Sequence, residues 1–190
     1  MRKEIKNEEK AYFAGLFDGE GTTRISKSEG KTSACNVTVS YRLSVQFSLT
    51  YKLVLIRMQK LFGGNITTVD MEKQRNSKSI LKLREAGYYS QEKWKQSYKY
   101  YISGRDALYF LKVIEPFCDE KRPQVVLAIQ YEQGRKPNAG SCGRNKYETD
   151  RCEFFYQELM RLKHEQPSED NNEVDFEDDQ QTLFCFEAEP

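Results

Sequence analysis

The sequence has a single histidine, His164, among its 190 residues. This excludes a mechanism that needs several histidines and weakens any that needs a histidine base. Five cysteines are scattered without a Cys-x-x-Cys pair, and an odd number cannot all pair within one chain. We therefore expect reduced thiols, with neither a disulfide framework nor a zinc site, and chemistry that depends on carboxylates and lysine. The cysteines are Cys35, Cys118, Cys142, Cys152 and Cys185.

Long apolar runs are also absent. No stretch reaches the roughly 18 apolar residues of a membrane-spanning helix, and the N-terminal segment MRKEIKNEEK lacks the apolar stretch of a signal peptide. We expect a soluble intracellular protein without a membrane partner, located in an organelle (chloroplast or mitochondrion) or in a bacterial cytoplasm. A chain of 190 residues suffices for one domain with a hydrophobic core.

Charge is distributed very unevenly along the chain. Residues 165–190 contain ten acidic residues and no Lys or Arg, a charge of −10. Residues 1–164 contain 30 basic and 19 acidic residues, a charge of +11. We expect residues 1–164 to form the domain and residues 165–190 to be a disordered acidic tail. A basic domain is typical of proteins that bind nucleic acid, because its cations replace the counterions of the phosphates.

Hydrophobic periodicity predicts the first half of the domain. Asn7 is a candidate N-cap for a helix over about residues 8–18. Apolar residues or Tyr occupy every odd position from Val37 to Leu49, which predicts a strand with one buried face. Residues Tyr51 to Phe62 have helical spacing and are followed by two glycines, as is typical of a helix C-terminus.

The second half is predicted to contain short strands followed by helices. Because strands and helices occur in separate runs, the order favours an α+β domain with an antiparallel sheet and helices on one face. The loop KPNAGSCGRN would separate the last two helices. The predicted strands are residues 65–71, 79–84 and 98–102, and the predicted helices are residues 105–114, 123–133 and 147–163.

The first predicted helix ends in the segment FAGLFDGEG, which spans Phe13 to Gly21. Asp18 and Glu20 stand at the negative end of the helix dipole, where a cation would be favoured. Gly15 and Gly19 are four residues apart on one helical face, so a second helix could approach the backbone closely there. The alternative is an ordinary amphipathic helix with a glycine C-cap and two exposed acids.

The segment closely resembles the LAGLIDADG motif of homing endonucleases, and the single copy resembles the homodimeric, single-motif type. The resemblance implies a curved antiparallel DNA-binding sheet and a motif helix at a C2 dimer interface. It implies that Glu20 binds metal with the backbone carbonyl of Gly19, that Glu20 is catalytic, and that Mg²⁺ is the ion, with Mn²⁺ able to substitute. The implied interface residues are Phe13, Gly15, Leu16, Asp18 and Gly19.

A second resemblance lies in PFCDEKRPQVVL, which is similar to the Lys-x-x-Gln segment of the family. It implies that Lys121 assists catalysis, with Gln124 beside it. Solvated charges at a helix N-terminus are the alternative. Some relatives place Gln after the long strand, whereas this chain has Tyr51 there and Gln46 earlier on the strand.

The resemblance implies an activity and a partner. The activity is site-specific cleavage of both strands of a long pseudo-palindromic double-stranded DNA site, with short 3′ overhangs, and it promotes intron or intein mobility. One alternative is an intron maturase that binds intron RNA and helps splicing. Another is a catalytically inactive DNA-binding protein.

The sheet face that is not covered by helices is expected to bind DNA in the major groove. Its side chains would be hydrogen-bond donors, acceptors and cations. An ordinary solvated sheet face is the alternative. The predicted DNA-binding residues are Arg24, Ser26, Ser28, Ser40, Arg42, Ser44, Gln46, Ser48, Thr67, Lys73, Arg75, Lys82, Arg84 and Lys99.

Overall fold

A computed structural model describes residues 4–31, 37–70, 81–82, 85–87, 95–135 and 146–164. In chain order, a helix followed by two strands occurs twice, and the remaining elements are helices. A short 3₁₀ helix, Glu115–Phe117, follows the third helix. The helices are α1 (Asn7–Glu20), α2 (Lys52–Phe62), α3 (Gly104–Ile114), α4 (Arg122–Gln133) and α5 (Lys146–His164), and the strands are β1 (Gly21–Lys31), β2 (Val37–Leu49), β3 (Asn65–Thr68) and β4 (Tyr98–Ser103).

The four strands form one antiparallel sheet in the order β1-β2-β4-β3. Alternation along β2 buries Tyr41, Leu43, Val45 and Phe47 on one face. The odd-position periodicity therefore predicted the buried face of this strand correctly. The α+β fold class is confirmed.

Aromatic side chains hold the helices against the buried face of the sheet. Phe110 of α3 lies at the centre, with ring centroids 6.1 Å from Phe17, 5.8 Å from Phe47 and 4.9 Å from Phe62. All three pairs meet edge to face, a favoured arrangement for aromatic rings. These four rings therefore join α1, α2, α3 and β2 in one core.

The first helix is longer than predicted at its functional end. It runs to Glu20 rather than to residue 18, so both motif acids belong to its last turn. The N-cap prediction was wrong, because Lys6 occupies that position and Asn7 is already helical. The Asn7 side chain instead accepts a hydrogen bond from the Lys10 amine at 3.2 Å.

The predicted strand over residues 79–84 is wrong where the structure describes it. Leu81 and Lys82 are helical, and the Ala86 N–H donates to the Lys82 carbonyl at 3.1 Å. A short apolar run cannot distinguish a strand from a helical turn by periodicity alone. The strand predicted over residues 65–71 ends earlier, at Thr68.

The C-terminal helix α5 is tied to the sheet by a polar cluster. Glu153 accepts a hydrogen bond from Tyr41 and pairs with Lys27 at 2.9 Å. Hydrogen bonds from Tyr41, Lys27 and Gln157 lower the pKa of Glu153 to about 2. Burial, reinforced by Glu153, raises the pKa of Tyr41 to about 12, so this phenol stays a donor.

Two of the expected reduced thiols, Cys118 and Cys152, are buried and form no disulfide. The other three cysteines lie outside the described residues, as do the loop 136–145 and the tail 165–190. No helix within the described ranges is long and apolar enough to cross a membrane.

Candidate active site and DNA-binding surface

The C-terminal end of α1 presents the motif carboxylate Glu20 to solvent. Glu20 is the last helical residue, and the last turn contains no basic residue. Gly21 then starts β1, and its N–H bonds to the Phe17 carbonyl. A Cβ at Gly21 would lie 2.3 Å from the Phe17 ring and 2.8 Å from the Phe17 carbonyl oxygen. The helix-to-strand transition therefore requires glycine here, which fixes where Glu20 emerges.

Lys121 comes from the turn before α4 and lies at the same helix end. Its ammonium donates to the Phe17 carbonyl at 3.2 Å and to the Gly21 carbonyl at 3.1 Å. Carbonyls at a helix C-terminus attract cations because the helix dipole is negative there. Lys121, one predicted catalytic residue, is thus held at the end of the helix whose last residue is Glu20, the other, by bonds that span 104 and 100 residues of sequence.

Asp18 fixes the turn that contains Lys121. Its carboxylate accepts the N–H of Asp119 at 3.0 Å and the N–H of Lys121 at 3.1 Å. Both carboxylate oxygens are therefore engaged within the chain. Local spacing cannot predict this contact, because the partner residue lies 101 positions away.

Cys118, beside this turn, is not a reactive thiol. Burial, together with the negative charges of Asp18 and Glu115, raises the pKa of its thiol to about 12. The thiolate is the nucleophilic form of cysteine. The thiol therefore stays protonated at neutral pH and serves packing.

The outer face of α1 is apolar and lined by small residues; we name Ala11, Tyr12, Gly15, Leu16 and Gly19 the motif face. Ala11, Tyr12, Gly15 and Gly19 are exposed and Leu16 is half-buried. A Cβ on Gly15 or Gly19 would meet nothing within 4 Å. The backbone is therefore accessible along this face.

Phe13 was wrongly assigned to the dimer interface. Its side chain is fully buried in the core of its own chain, 5.5 Å from the Phe62 ring. Tyr12, Phe13, Leu16 and Phe17 form apolar stripes on both sides of α1, and spacing alone does not say which stripe faces the core. The structure assigns Phe13 and Phe17 to the core and leaves Tyr12 largely outside.

Most predicted DNA-binding residues lie on the open face of the sheet. Ser26 and Gln46 are half-buried, and the Ser28 and Ser40 hydroxyls form a hydrogen bond of 2.7 Å across β1 and β2. Lys82 is exposed too, but on a helical turn. The exposed strand residues of the set are Arg24, Ser28, Ser40, Arg42, Ser48, Thr67 and Lys99.

Ser44 was wrongly included in this set. It is fully buried between Arg24 of β1 and Ser103 of β4, and its hydroxyl donates to the Arg24 carbonyl at 3.4 Å. Its short side chain, at an inner strand, does not reach solvent. Lys73, Arg75 and Arg84 lie outside the described residues.

Strand register places Ser48, Lys99 and Thr67 side by side across β2, β4 and β3. They line an open cleft of about 540 Å³ together with the last residue of β3 and residues between β3 and β4. Hydroxyl and ammonium groups in such a row suit contacts with base edges and phosphates. The remaining lining residues are Thr68, Val69, Asp70 and Ser97.

The position that follows β2, where some relatives are expected to have a glutamine, is occupied by Tyr51. Tyr51 there is exposed, and Gln46 is half-buried on the strand. In the part of the chain that the structure describes, no group of three His, Cys, Asp or Glu side chains could hold a metal ion.

Comparisons with known proteins agree with this geometry. Residues 13–86 match the family model of the LAGLIDADG endonucleases. No curated protein sequence matches the chain. The homing endonuclease I-CvuI, solved with its DNA target, has a TM-score of 0.58 at 15% identity, with 84% of this chain and 85% of that one covered. The archaeal intron-encoded homing endonuclease I-Vdi141I, solved with DNA, has a TM-score of 0.55 at 13% identity, with 86% and 88% covered.

At these identities the solved structures establish a shared fold, and the family model identifies the motif within it. The match begins at Phe13, the first residue of FAGLFDGEG, and includes both motif acids. Residues 13–86 therefore match the LAGLIDADG endonuclease family, within a fold that the chain shares with solved homing endonucleases.

Proposed function

We propose that the protein is a homodimeric endonuclease that cleaves both strands of a specific double-stranded DNA site with a divalent metal ion. The observation that carries the proposal is the convergence of Glu20 and Lys121 at the end of α1, where Lys121 bonds to the carbonyls that flank Glu20. The DNA complexes of I-CvuI and I-Vdi141I, which share the fold, support double-stranded DNA as the partner.

The residues at the end of α1 fit a hard divalent cation. Glu20 offers an exposed carboxylate, and no described residue forms a hydrogen bond or ion pair with it. The Gly19 carbonyl lies in the same helix end, where the helix dipole is negative. Mg²⁺ prefers such oxygen ligands, and Mn²⁺ accepts them as well. When bound, the ion would supply Lewis acidity and a more acidic water.

Lys121 has the geometry of a charge-stabilising residue. Its ammonium has three donors, of which two bond to carbonyls and one remains. The two carbonyls hold the side chain in place before DNA arrives, so little reorganisation is needed when charge develops at a phosphate. Asp18 holds the backbone of the same residue.

Dimerisation through the motif face would bring two copies of Glu20 together. One chain supplies one exposed motif carboxylate, and cleavage of two strands requires a second, so a C2 axis beside α1 would complete the site. Tyr12 on this face is 46% exposed, so it offers apolar surface that a partner helix would bury. Gly15 and Gly19 leave room for the partner helix.

Site recognition is assigned to the open sheet face. Two copies related by a C2 axis would read a pseudo-palindromic sequence, and 3′ overhangs and a role in intron or intein mobility follow from the family resemblance. The row Ser48, Lys99 and Thr67 would contact one end of each half-site.

The test is cleavage of DNA made by joining the coding segments that flank the gene or its intron. The wild-type protein should cut this junction in Mg²⁺ and should not cut it in EDTA. Glu20→Gln should reduce the rate at least about 10–100-fold, the loss typical even for an outer partner of a metal site. Glu8→Gln, the same substitution at the exposed opposite end of α1, is the matched control and should cut normally.

Binding without cutting by the wild-type protein would contradict the proposal and would favour an inactive DNA-binding protein. Binding of intron RNA with the junction left uncut would favour a maturase.

A further inference from the structure

The last turn of α5 contains a half-buried cation that the sequence did not single out. The turn is basic, with Arg161, Lys163 and His164. Arg161 is exposed and pairs with Glu158 one turn earlier. Lys163 differs, because it is half-buried and has no hydrogen bond or ion pair to any described residue.

The packing of α5 places this turn beside the candidate active site. The helix packs on α4 and on β1, which is an edge strand of the sheet. Leu162 lines an open cleft of about 470 Å³ with Asp119 and Arg122, the residues on either side of the turn that contains Lys121. The neighbouring residue, Lys163, therefore lies at the same corner of the molecule.

Two other cations act on the ammonium of Lys163. Burial lowers the pKa of its ammonium, and the positive charges of Arg24 and Lys121 lower it further. Lys121 belongs to the candidate active site, and Arg24 is exposed on β1 three residues after Gly21. Lys163 thus lies within electrostatic range of Arg24 and Lys121, at the corner where α5 packs on β1 and α4.

Convergence of like charges is unfavourable in the free protein, since each cation disfavours the charged form of the others. An anion among them would remove this cost and would form charge-assisted hydrogen bonds. Phosphates of the DNA backbone are the anions that the proposed function brings to this corner.

We propose that Lys163 binds a backbone phosphate of the DNA together with Arg24 and Lys121, so that α5 contributes to the DNA-binding surface. This rests on the proposed function. A phosphate contact contributes affinity that does not depend on base sequence. This affinity weakens as the salt concentration rises, because the release of counterions from the DNA becomes less favourable.

The test measures binding of a mixed-sequence DNA duplex over a series of salt concentrations, so it does not require the natural target. Lys163→Gln should weaken binding at low salt about tenfold or more. Lys163→Gln should also make the plot of the logarithm of the binding constant against the logarithm of the salt concentration less steep, by about 0.9 for each protomer bound. Lys163→Arg should restore most of the affinity, since it keeps the charge.

Arg161→Gln is the matched control, because it removes the same charge from the same turn at a side chain that is exposed and already paired. Its salt slope should stay close to that of the wild type. Equal thermal midpoints for the variants would show that the fold is intact.

The inference is overturned if Lys163→Gln keeps the wild-type slope, or if Arg161→Gln changes the slope equally. Either result leaves junction cleavage by the wild-type protein unaffected, so the failure of this inference can be told from the failure of the proposed function.

Discussion

Replacement of Gly15 by alanine separates the stability of the protomer from the stability of the dimer. Gly15 lies within α1, is exposed, and would place its new Cβ in open space. Alanine in a helix interior is favoured over glycine by about 0.8–1.0 kcal/mol. The free energy of unfolding of the protomer should therefore rise by about 1 kcal/mol.

The proposed dimer should respond in the opposite direction. If the motif faces of two copies pack against each other, the substitution inserts two methyl groups where the backbones approach. Overpacking costs about 1–3 kcal/mol at each site. The gain in helix propensity is the same in monomer and dimer and cancels from the dissociation constant. At about 1.4 kcal/mol per factor of ten, the dissociation constant should rise at least about tenfold.

Two measurements on one sample check this reasoning. Urea unfolding at low protein concentration gives the stability of the protomer, and sedimentation equilibrium gives the dissociation constant. Junction cleavage should fall together with the dimer fraction. An unchanged dissociation constant with a stabilised protomer would refute pairing through the motif face. A destabilised protomer would show instead that Gly15 is not in open space.

Two further predictions concern the contacts around the site. Asp18→Ala removes both hydrogen bonds that the Asp18 carboxylate accepts from the turn containing Lys121. We therefore expect the free energy of unfolding to fall by about 1.5–3 kcal/mol and the cleavage rate to fall with it. Asp18→Asn keeps one acceptor oxygen, so its free energy of unfolding should lie between those of the wild type and Asp18→Ala. Because the pKa of Glu153 in the folded protein is lowered to about 2, its contribution to stability is complete above its ordinary pKa of 4.5 and is lost as pH falls from there towards 2. Urea unfolding of the wild type and Glu153→Gln should therefore differ at pH 6 and converge as acid is added, and a constant difference would contradict this assignment.

Much of the fold could be predicted from the sequence because its signals are local. The alternation in β2 and the glycines after α2 are properties of a few neighbouring residues. In contrast, the burial of Ser44 depends on the strands on either side of it. The alternation of inward and outward positions along one strand cannot show this. The orientation of α1 could not be derived either, because both of its sides are apolar and only tertiary packing distinguishes Phe13 from Tyr12.

The candidate site shows the same difference between features with local sequence signals and features that depend on tertiary packing. Glu20 was predicted from the motif and Lys121 from a second resemblance, but the hydrogen bonds of the Lys121 ammonium to the Phe17 and Gly21 carbonyls join residues 104 and 100 positions apart. Lys163 belongs to no motif, and its spacing within α5 is that of an ordinary basic last turn. Only the packing of α5 on β1 and α4 brings it within electrostatic range of Arg24 and Lys121.

The two acids of the motif are chemically alike, and the structure explains how they come to differ. Asp18 points back towards the chain, where two backbone N–H groups occupy its oxygens. Lys121, held by that turn, then bonds to the two carbonyls at the helix end rather than to a motif carboxylate. Glu20 is thereby left exposed at the helix end whose carbonyls hold Lys121. Exchange of the two acids, with Glu at 18 and Asp at 20, should therefore disturb the Lys121 turn, and stability should fall along with cleavage, whereas Glu20→Gln should leave stability unchanged.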